Sequence, residues 1–303
     1  MATRSPARAR SLATALLVAL TAVWGSTFFL IRDLVRSIPP ADFLAVRFTL
    51  AAVLMVVLFW RPLRALSRRD WAASLVLGGL YGAAQILQTV GLAHTEASVS
   101  GFVTGTYVVL TPIFTAVLLR ERVAPSTWYA VLLATAGLAL LSLNGLSVGP
   151  GEALTLGAAA LYALHIVGLG RLSTPDRATG MSAVQMLVIA AVAVLAALPD
   201  GIALPTDGGQ WAAVVYMATA AGVLALWAQT WAQAHLPATR AAIIMTLEPV
   251  FAAGFAVAFG GETLTWRMLV GGGLVLAAMY TVELVGRRSE PARALAEALH
   301  HEV

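Results

Sequence analysis

Residues 88–121 read QTVGLAHTEASVSGFVTGTYVVLTPIFTAVLLRE and residues 229–262 read QTWAQAHLPATRAAIIMTLEPVFAAGFAVAFGGE; this paired stretch decides the fold. The two align without a gap when the numbering is shifted by 141. Apolar matches arise by chance in such a chain, so the weight falls on scarce polar residues that recur in order: Gln88/Gln229, His94/His235 and Glu121/Glu262. The chain is therefore predicted to be one unit written twice.

The composition places the chain in a lipid bilayer. Of 303 residues, 59% are hydrophobic and only 11% are charged, whereas soluble domains average about 25% charged residues. All 19 basic residues are arginines, and most lie between apolar runs. That distribution is typical of topology determinants and does not favour a nucleic-acid partner.

The absence of two residue types excludes several kinds of chemistry. The chain has no cysteine, which removes thiolate catalysis and cysteine metal sites. It also has no lysine, which removes the phosphate-loop lysine and Schiff-base cofactors. No catalytic residue, metal or cofactor is predicted.

Ten apolar stretches are long enough to cross about 30 Å of hydrocarbon. They cover residues 12–31, 43–60, 71–92, 99–119, 128–143, 153–169, 181–198, 211–234, 238–259 and 266–285. The first stretch has no cleavage-like end and is predicted to be a retained span. The chain is thus expected to be an all-α membrane protein with ten transmembrane helices.

The links between these stretches predict the orientation. Arginines concentrate on the links of one side and on both tails, which places both termini in the cytoplasm. Five spans per half make the second half run in the opposite sense. We expect a first five-helix repeat at 1–145, a second, inverted repeat at 146–286, and a cytoplasmic tail at 287–303. Inverted repeats enclose a substrate site in a central cavity between them.

Polar side chains inside spans are costly and usually face a bundle interior or a wet cavity. In the third span, Tyr81, Gln85 and Gln88 are four and three residues apart, which puts them on one helical stripe. Gln229 is the match of Gln88 in the eighth span. Either glutamine could instead make only an interhelical hydrogen bond.

The first and sixth spans offer a second matched set. Trp24 and Thr27 fall on Tyr162 and His165 at an offset of 138, and each pair is three residues apart, on one helix face. These residues are predicted to bind substrate. A lone buried histidine such as His165 is equally compatible with a satisfied hydrogen bonder, a substrate ligand or a proton carrier.

Glu248 is the acid deepest in an apolar run, directly before Pro249. The proline is expected to kink the helix there, where the carboxylate could meet a cationic group, take up a proton, or simply cap or pack. Its overlay partner is Tyr107, so the two halves differ at their centre. Arg47 can snorkel or pair with Asp42 near the outer boundary, and substrate binding is the alternative to this structural role.

In sequence order, several motifs resemble the EamA family of the drug/metabolite transporter superfamily. They are Trp24-Gly25-Ser26-Thr27-Phe28, Arg47-Phe48, Arg120-Glu121-Arg122, Leu247-Glu248-Pro249-Val250 and Gly261-Glu262-Thr263-Leu264-Thr265-Trp266. The chain looks most like bacterial exporters of aromatic amino acids and methyl viologen. The resemblance implies a cavity lined by spans 1, 3, 4, 6, 8 and 9 that opens alternately to the two sides.

The function expected from these features is export of small amphiphilic metabolites, among them aromatic amino acids, across the bacterial inner membrane. The partners would be a small-molecule substrate, the lipid bilayer and a proton as a candidate coupling ion, with the protein a monomer or a homodimer. The alternatives are a carrier of drugs or nucleotide sugars, a membrane-embedded enzyme, and a passive channel.

Overall fold

The computed structural model describes residues 6–95, 97–142, 149–259, 263–267, 269–278 and 280–281. Its helices, in chain order, are α1 (Pro6–Leu34), α2 (Pro40–Arg64), α3 (Arg68–Leu92), α4 (Ala97–Gly105), α5 (Tyr107–Leu118), α6 (Pro125–Ser142), α7 (Pro150–Leu172), α8 (Ala178–Ala197), α9 (Gly208–Tyr216), α10 (Ala225–Gln233), α11 (Ala238–Met245), α12 (Leu247–Phe259) and α13 (Leu269–Ala278). The predicted tail at 287–303, the predicted junction at 145/146 and the Gly261-Glu262 motif lie outside the described residues.

In the described part of the chain, seven helices are long and apolar enough to cross a membrane. They are α1, α2, α3, α7, α8, the continuous run Gly208–Gln233 and the run Ala238–Phe259. Two shorter apolar helices, Val103–Leu118 and Leu269–Ala278, and the 18-residue helix α6 occupy the remaining predicted stretches. The prediction of an all-α membrane protein is confirmed.

Helix starts recur at nearly constant spacing, which extends the sequence repeat to the secondary structure. The starts of α2 and α8 are 138 residues apart, those of α3 and α9 140, those of α4 and α11 141, and those of α5 and α12 140. Even the caps match. Ser67 Oγ accepts from Asp70 N before α3, and Asp207 Oδ1 accepts from Gln210 N before α9, so each helix begins on a side-chain acceptor.

The two halves interleave, and their packing is symmetric under exchange of one half for the other. Helix α2 packs on its own counterpart α8. Helix α3 packs on α7, and the counterpart pair α10 and α1 packs in the same way. Likewise α12 packs on α1, as α4 and α5 pack on α7. Each half therefore buries its central helices against the other half.

Both broken helices break at a threonine, and the two break points differ by one residue in the overlay. Thr106 separates α4 from α5 and Thr246 separates α11 from α12; the hydroxyls donate to Val103 O and Ile243 O at 2.6 Å each. The helix break expected next to Pro249 is present: it lies at Thr246, three residues before the proline. Proline lies in the first turn of α12, where its missing N–H has no intrahelical partner to lose.

The eighth span carries a second irregularity that the sequence did not predict. Between α9 and α10 the backbone forms a π-helix, Met217–Leu224, inside an otherwise continuous span. Such turns loosen the regular hydrogen-bond ladder, and they occur often at functional sites. The wider turn faces α1 and α2.

Close approach of α1 and α12 requires glycine at position 25. A Cβ added to Gly25 would lie 2.7 Å from Cβ of Phe251, 2.9 Å from N of Ala252 and 2.9 Å from the carbonyl oxygen of Glu248. Two of these three atoms are backbone, so they cannot rotate away. The contact between the halves next to Glu248 therefore depends on a missing side chain.

We expect Gly25→Ala to lower the free energy of unfolding by about 1–3 kcal/mol, because the methyl group overpacks the α1–α12 contact. Gly254→Ala, also on α12, is the matched control, since a Cβ there meets nothing within 4 Å. Thermal melts of the purified protein in detergent measure both. Equal melting temperatures for the two variants would contradict the packing account.

Candidate functional site

A buried cavity lies between the two halves. Its volume is about 50 Å³, which is room for a few water molecules. Its wall comes from α1, α2, α3, α4, α5, α7, α10, α11 and α12. All ten predicted site residues line it: Trp24, Thr27, Tyr81, Gln85, Gln88, Tyr107, Tyr162, His165, Gln229 and Glu248.

One side of the cavity is organised by the hydroxyl of Tyr162. It accepts a hydrogen bond from Gln85 Nε2 and donates one to Gln88 Oε1 at 2.9 Å. Gln88 Nε2 in turn donates to Thr104 Oγ1 at 2.9 Å. Gln88 thus makes the interhelical hydrogen bonds foreseen as an alternative, and it lines the cavity as well.

The amide group of Gln229, at the matched position in the second half, is less fully hydrogen-bonded than that of Gln88. Gln229 Nε2 donates to Gln233 Oε1 at 3.1 Å and approaches the sulfur of Met245 at 3.8 Å. Met245 stands where the first half has Thr104. Gln229 Oε1 is buried without a hydrogen-bond partner in the described residues, so an acceptor is left at the cavity.

His165 is fully buried and held by one neighbour. Its Nε2 lies 2.8 Å from Gln185 Oε1, while Gln185 Nε2 donates to Met181 O at 3.2 Å. Because the amide oxygen faces the ring, Nε2 must carry the proton. Nδ1 is then an acceptor, and it has no hydrogen-bond partner in the described part.

Aromatic rings form a cluster against this histidine. The ring of Tyr81 meets Tyr162 edge-on at 5.4 Å between centroids and His165 edge-on at 5.1 Å. Such edge-to-face pairs fix ring orientation in a packed wall. Tyr81 therefore presents a rigid apolar surface to the cavity.

Trp24 and Thr27 are tied to backbone carbonyls. Trp24 Nε1 donates to Ala221 O at 3.0 Å, inside the π-helix, and Thr27 Oγ1 donates to Trp24 O at 2.8 Å. The matched residue Tyr162 forms hydrogen bonds with the third span, as Trp24 does with the eighth. Their role in the cavity wall is hence partly to join the halves.

Two groups near the helix breaks have no hydrogen-bond partner in the described residues. The hydroxyl of Tyr107 is buried, and the carboxylate of Glu248 is 9% exposed. Glu248 makes no ion pair within the described residues either, and it lies in the first turn of α12. Both groups are available to a ligand in the cavity.

Arg47 also lines the cavity, although it was not among the ten predicted site residues. The expectation that it snorkels at a boundary or pairs with Asp42 is wrong: Arg47 is 3% exposed, and Asp42 instead accepts from Ala203 N at 3.0 Å. The signal was present in the repeat. Arg47 falls on Gln185 at an offset of 138, so both halves place a long polar side chain at this position.

Comparison with known proteins identifies the class. The sequence matches the EamA-like transporter family over residues 11–143 and again over residues 149–284. The chain belongs to this family: it is a multi-pass membrane transporter and not an enzyme. The two matches agree with the two repeats.

The relatives are transporters too. An "Uncharacterized transporter" of Archaeoglobus fulgidus is 31% identical over 88% of this chain and 84% of its own. The "Uncharacterized inner membrane transporter YedA" of Escherichia coli K12 is 29% identical over 91% of this chain and 92% of its own. A solved crystal structure with 18% identity gives a TM-score of 0.75, covering 91% of this chain and 98% of that one, which is a likeness of fold.

We expect Tyr162→Phe to lower the free energy of unfolding by about 1–3 kcal/mol, because Gln85 and Gln88 lose a partner in a buried site. Tyr81→Phe is the matched control, since the Tyr81 hydroxyl makes no hydrogen bond within the described residues. Thermal melts measure both variants. A Tyr81→Phe protein as unstable as Tyr162→Phe would refute the network.

Proposed function

We propose that this chain exports small amphiphilic metabolites, including aromatic amino acids, by alternating access. The observation that carries the proposal is a cavity to which both repeats contribute. Its wall combines aromatic surface with amide, hydroxyl and carboxylate groups, and such a combination suits a solute with one apolar and one polar end.

Alternating access requires two halves that can rock about a shared site, and inverted repeats supply them. The symmetric packing of α1, α3, α7 and α10 supports this arrangement. An odd number of spans in each repeat then gives the halves opposite orientations. The boundaries proposed for the repeats remain 1–145 and 146–286.

The proposed orientation in the membrane rests on charge, and the proposed location rests on a relative. Arginine-rich links place both termini in the cytoplasm, and the relative YedA carries the description of an inner membrane transporter. We place this protein in the bacterial inner membrane, with the ten predicted site residues as its substrate contacts. Glu248 and His165 are the groups through which a proton would couple to transport.

Two other readings predict different behaviour. A carrier of drugs or nucleotide sugars would share the fold and the alternating mechanism but prefer a larger solute. A passive channel would need a path that is open to both sides at once. Saturation and exchange separate a carrier from a channel.

In liposomes, we expect saturable uptake of labelled phenylalanine that is accelerated by unlabelled phenylalanine inside the vesicles. Exchange of this kind follows from a site that faces one side at a time. Gln88→Ala should reduce the rate at least about tenfold, because an amide that orients the ligand is lost. Gln210→Ala, outside the cavity, is the control.

Flux that rises linearly with concentration, without exchange, would overturn the carrier mechanism. Exchange of a drug or nucleotide sugar but of no amino acid would overturn only the substrate class. An imposed pH gradient should accelerate uptake if protons are coupled, and Glu248→Gln and His165→Ala should then abolish that acceleration.

A further inference from the structure

A buried cation faces the cavity without an anion. Arg47 is 3% exposed, and its Nε has no hydrogen-bond partner in the described part of the chain. Its guanidinium carbon lies 4.8 Å from the ring centroid of Phe48 and 5.9 Å from that of Phe43. Aromatic faces hold a cation in place but do not neutralise it, and a buried charge without a partner is strongly destabilising.

The repeat explains why this arginine is left over. Its counterpart Gln185 is bonded to His165. The residue matched to His165 in the first half is Thr27, whose hydroxyl donates to Trp24 O. His165 is the hydrogen-bond partner of Gln185. Its counterpart Thr27 is bonded elsewhere, so the first half has no equivalent partner for Arg47.

A buried carboxyl group faces the same cavity. Glu248 lines it from α12 and makes no hydrogen bond or ion pair among the described residues. Arg47 and Glu248 are more than 4.0 Å apart, since no salt bridge joins them. Arg47 lines the cavity from α2 and Glu248 lines it from α12, so both side chains face the same space.

We propose that Arg47 and Glu248 form a two-point site for zwitterions, in which Arg47 binds a carboxylate and Glu248 binds an ammonium group. The planar guanidinium suits a carboxylate because it can donate two parallel hydrogen bonds. The inference rests on the proposed transport function and names its substrate class. Amino acids satisfy both charges at once, whereas simple amines and simple carboxylates satisfy one.

Selectivity follows from what a poor ligand leaves behind. An amine without a carboxylate leaves Arg47 buried and unpaired. A carboxylate without an amine leaves Glu248 buried and unpaired. A site built around a buried polar group rejects analogues that leave that group unpaired far more strongly than it rejects a change in apolar size. Charge complementarity, rather than side-chain shape, would thus set the class of solute.

The test compares three ligands that share one aromatic ring: phenylalanine, phenethylamine and 3-phenylpropionate. The affinity of the purified full-length protein for each is obtained directly from ligand-dependent thermal shifts. For the unaltered protein, both single-charge analogues should bind at least about tenfold more weakly than phenylalanine, because each loses a charge-assisted hydrogen bond.

Two variants should then lose opposite ligand preferences. Arg47→Gln should bind phenylalanine no better than phenethylamine, yet keep its preference for phenylalanine over 3-phenylpropionate. Glu248→Gln should show the reverse pattern. Arg47→Lys keeps the charge and should retain part of the carboxylate preference. Arg64→Gln, exposed on the same helix, is the control and should match the unaltered protein.

Each outcome decides between specific claims. Phenylalanine transport with the same ligand preferences in Arg47→Gln and Glu248→Gln overturns the two-point site and leaves the proposed function standing. An equal loss of all three ligands in a folded Arg47→Gln protein overturns it as well, since Arg47 would then be structural. Failure of the unaltered protein to bind or transport any zwitterion overturns both.

Discussion

A polar side chain carried into a lipid-embedded bundle must find its partner inside the protein, because the hydrocarbon offers none. The rest of this structure depends on how its two halves meet that demand. The helices that carry polar stripes are the ones that cross between the halves. A hydrogen bond made by one half is completed in several places by the other half, so the fold and the site cannot be separated.

The halves share positions but not chemistry. Gln88 meets a threonine hydroxyl, whereas Gln229 at the matched place meets a methionine sulfur. Gln185 has a histidine, whereas Arg47 has only rings. Duplication fixes where polar groups lie, and divergence decides which of them stay unsatisfied. The leftover groups gather at the cavity, where a solute can satisfy them.

Much of this was readable from the sequence, since hydropathy and repetition are strong signals in membrane proteins. Spans, repeat and ten cavity-lining residues follow from apolar length and from polar residues at helical spacing. The exact break points at Thr106 and Thr246 did not follow, because the prolines lie further along the chain, Pro112 inside α5 and Pro249 in the first turn of α12. Nor did the π-helix at Met217–Leu224, since nothing in apolar periodicity distinguishes it from an α-helix.

Arg47 shows a different limit. An arginine near the start of a span reads as a boundary residue, because its long side chain can reach water. Only the packing of α2 on α8 reveals that this end of the helix is covered. Asp42, its apparent partner in sequence, is occupied by the backbone of Ala203. Because tertiary packing buries it, Arg47 is a candidate ligand-binding residue and not a marker of topology.

The claim most exposed to experiment is that matched positions in the two repeats lie on opposite sides of the membrane. The chain has no cysteine, so Arg36→Cys and Thr174→Cys, at matched exposed loops 138 residues apart, each introduce one thiol. A membrane-impermeant maleimide applied to intact spheroplasts should label Arg36→Cys at once and Thr174→Cys only after permeabilisation. Labelling of both variants from the same side would mean parallel repeats and would contradict the account.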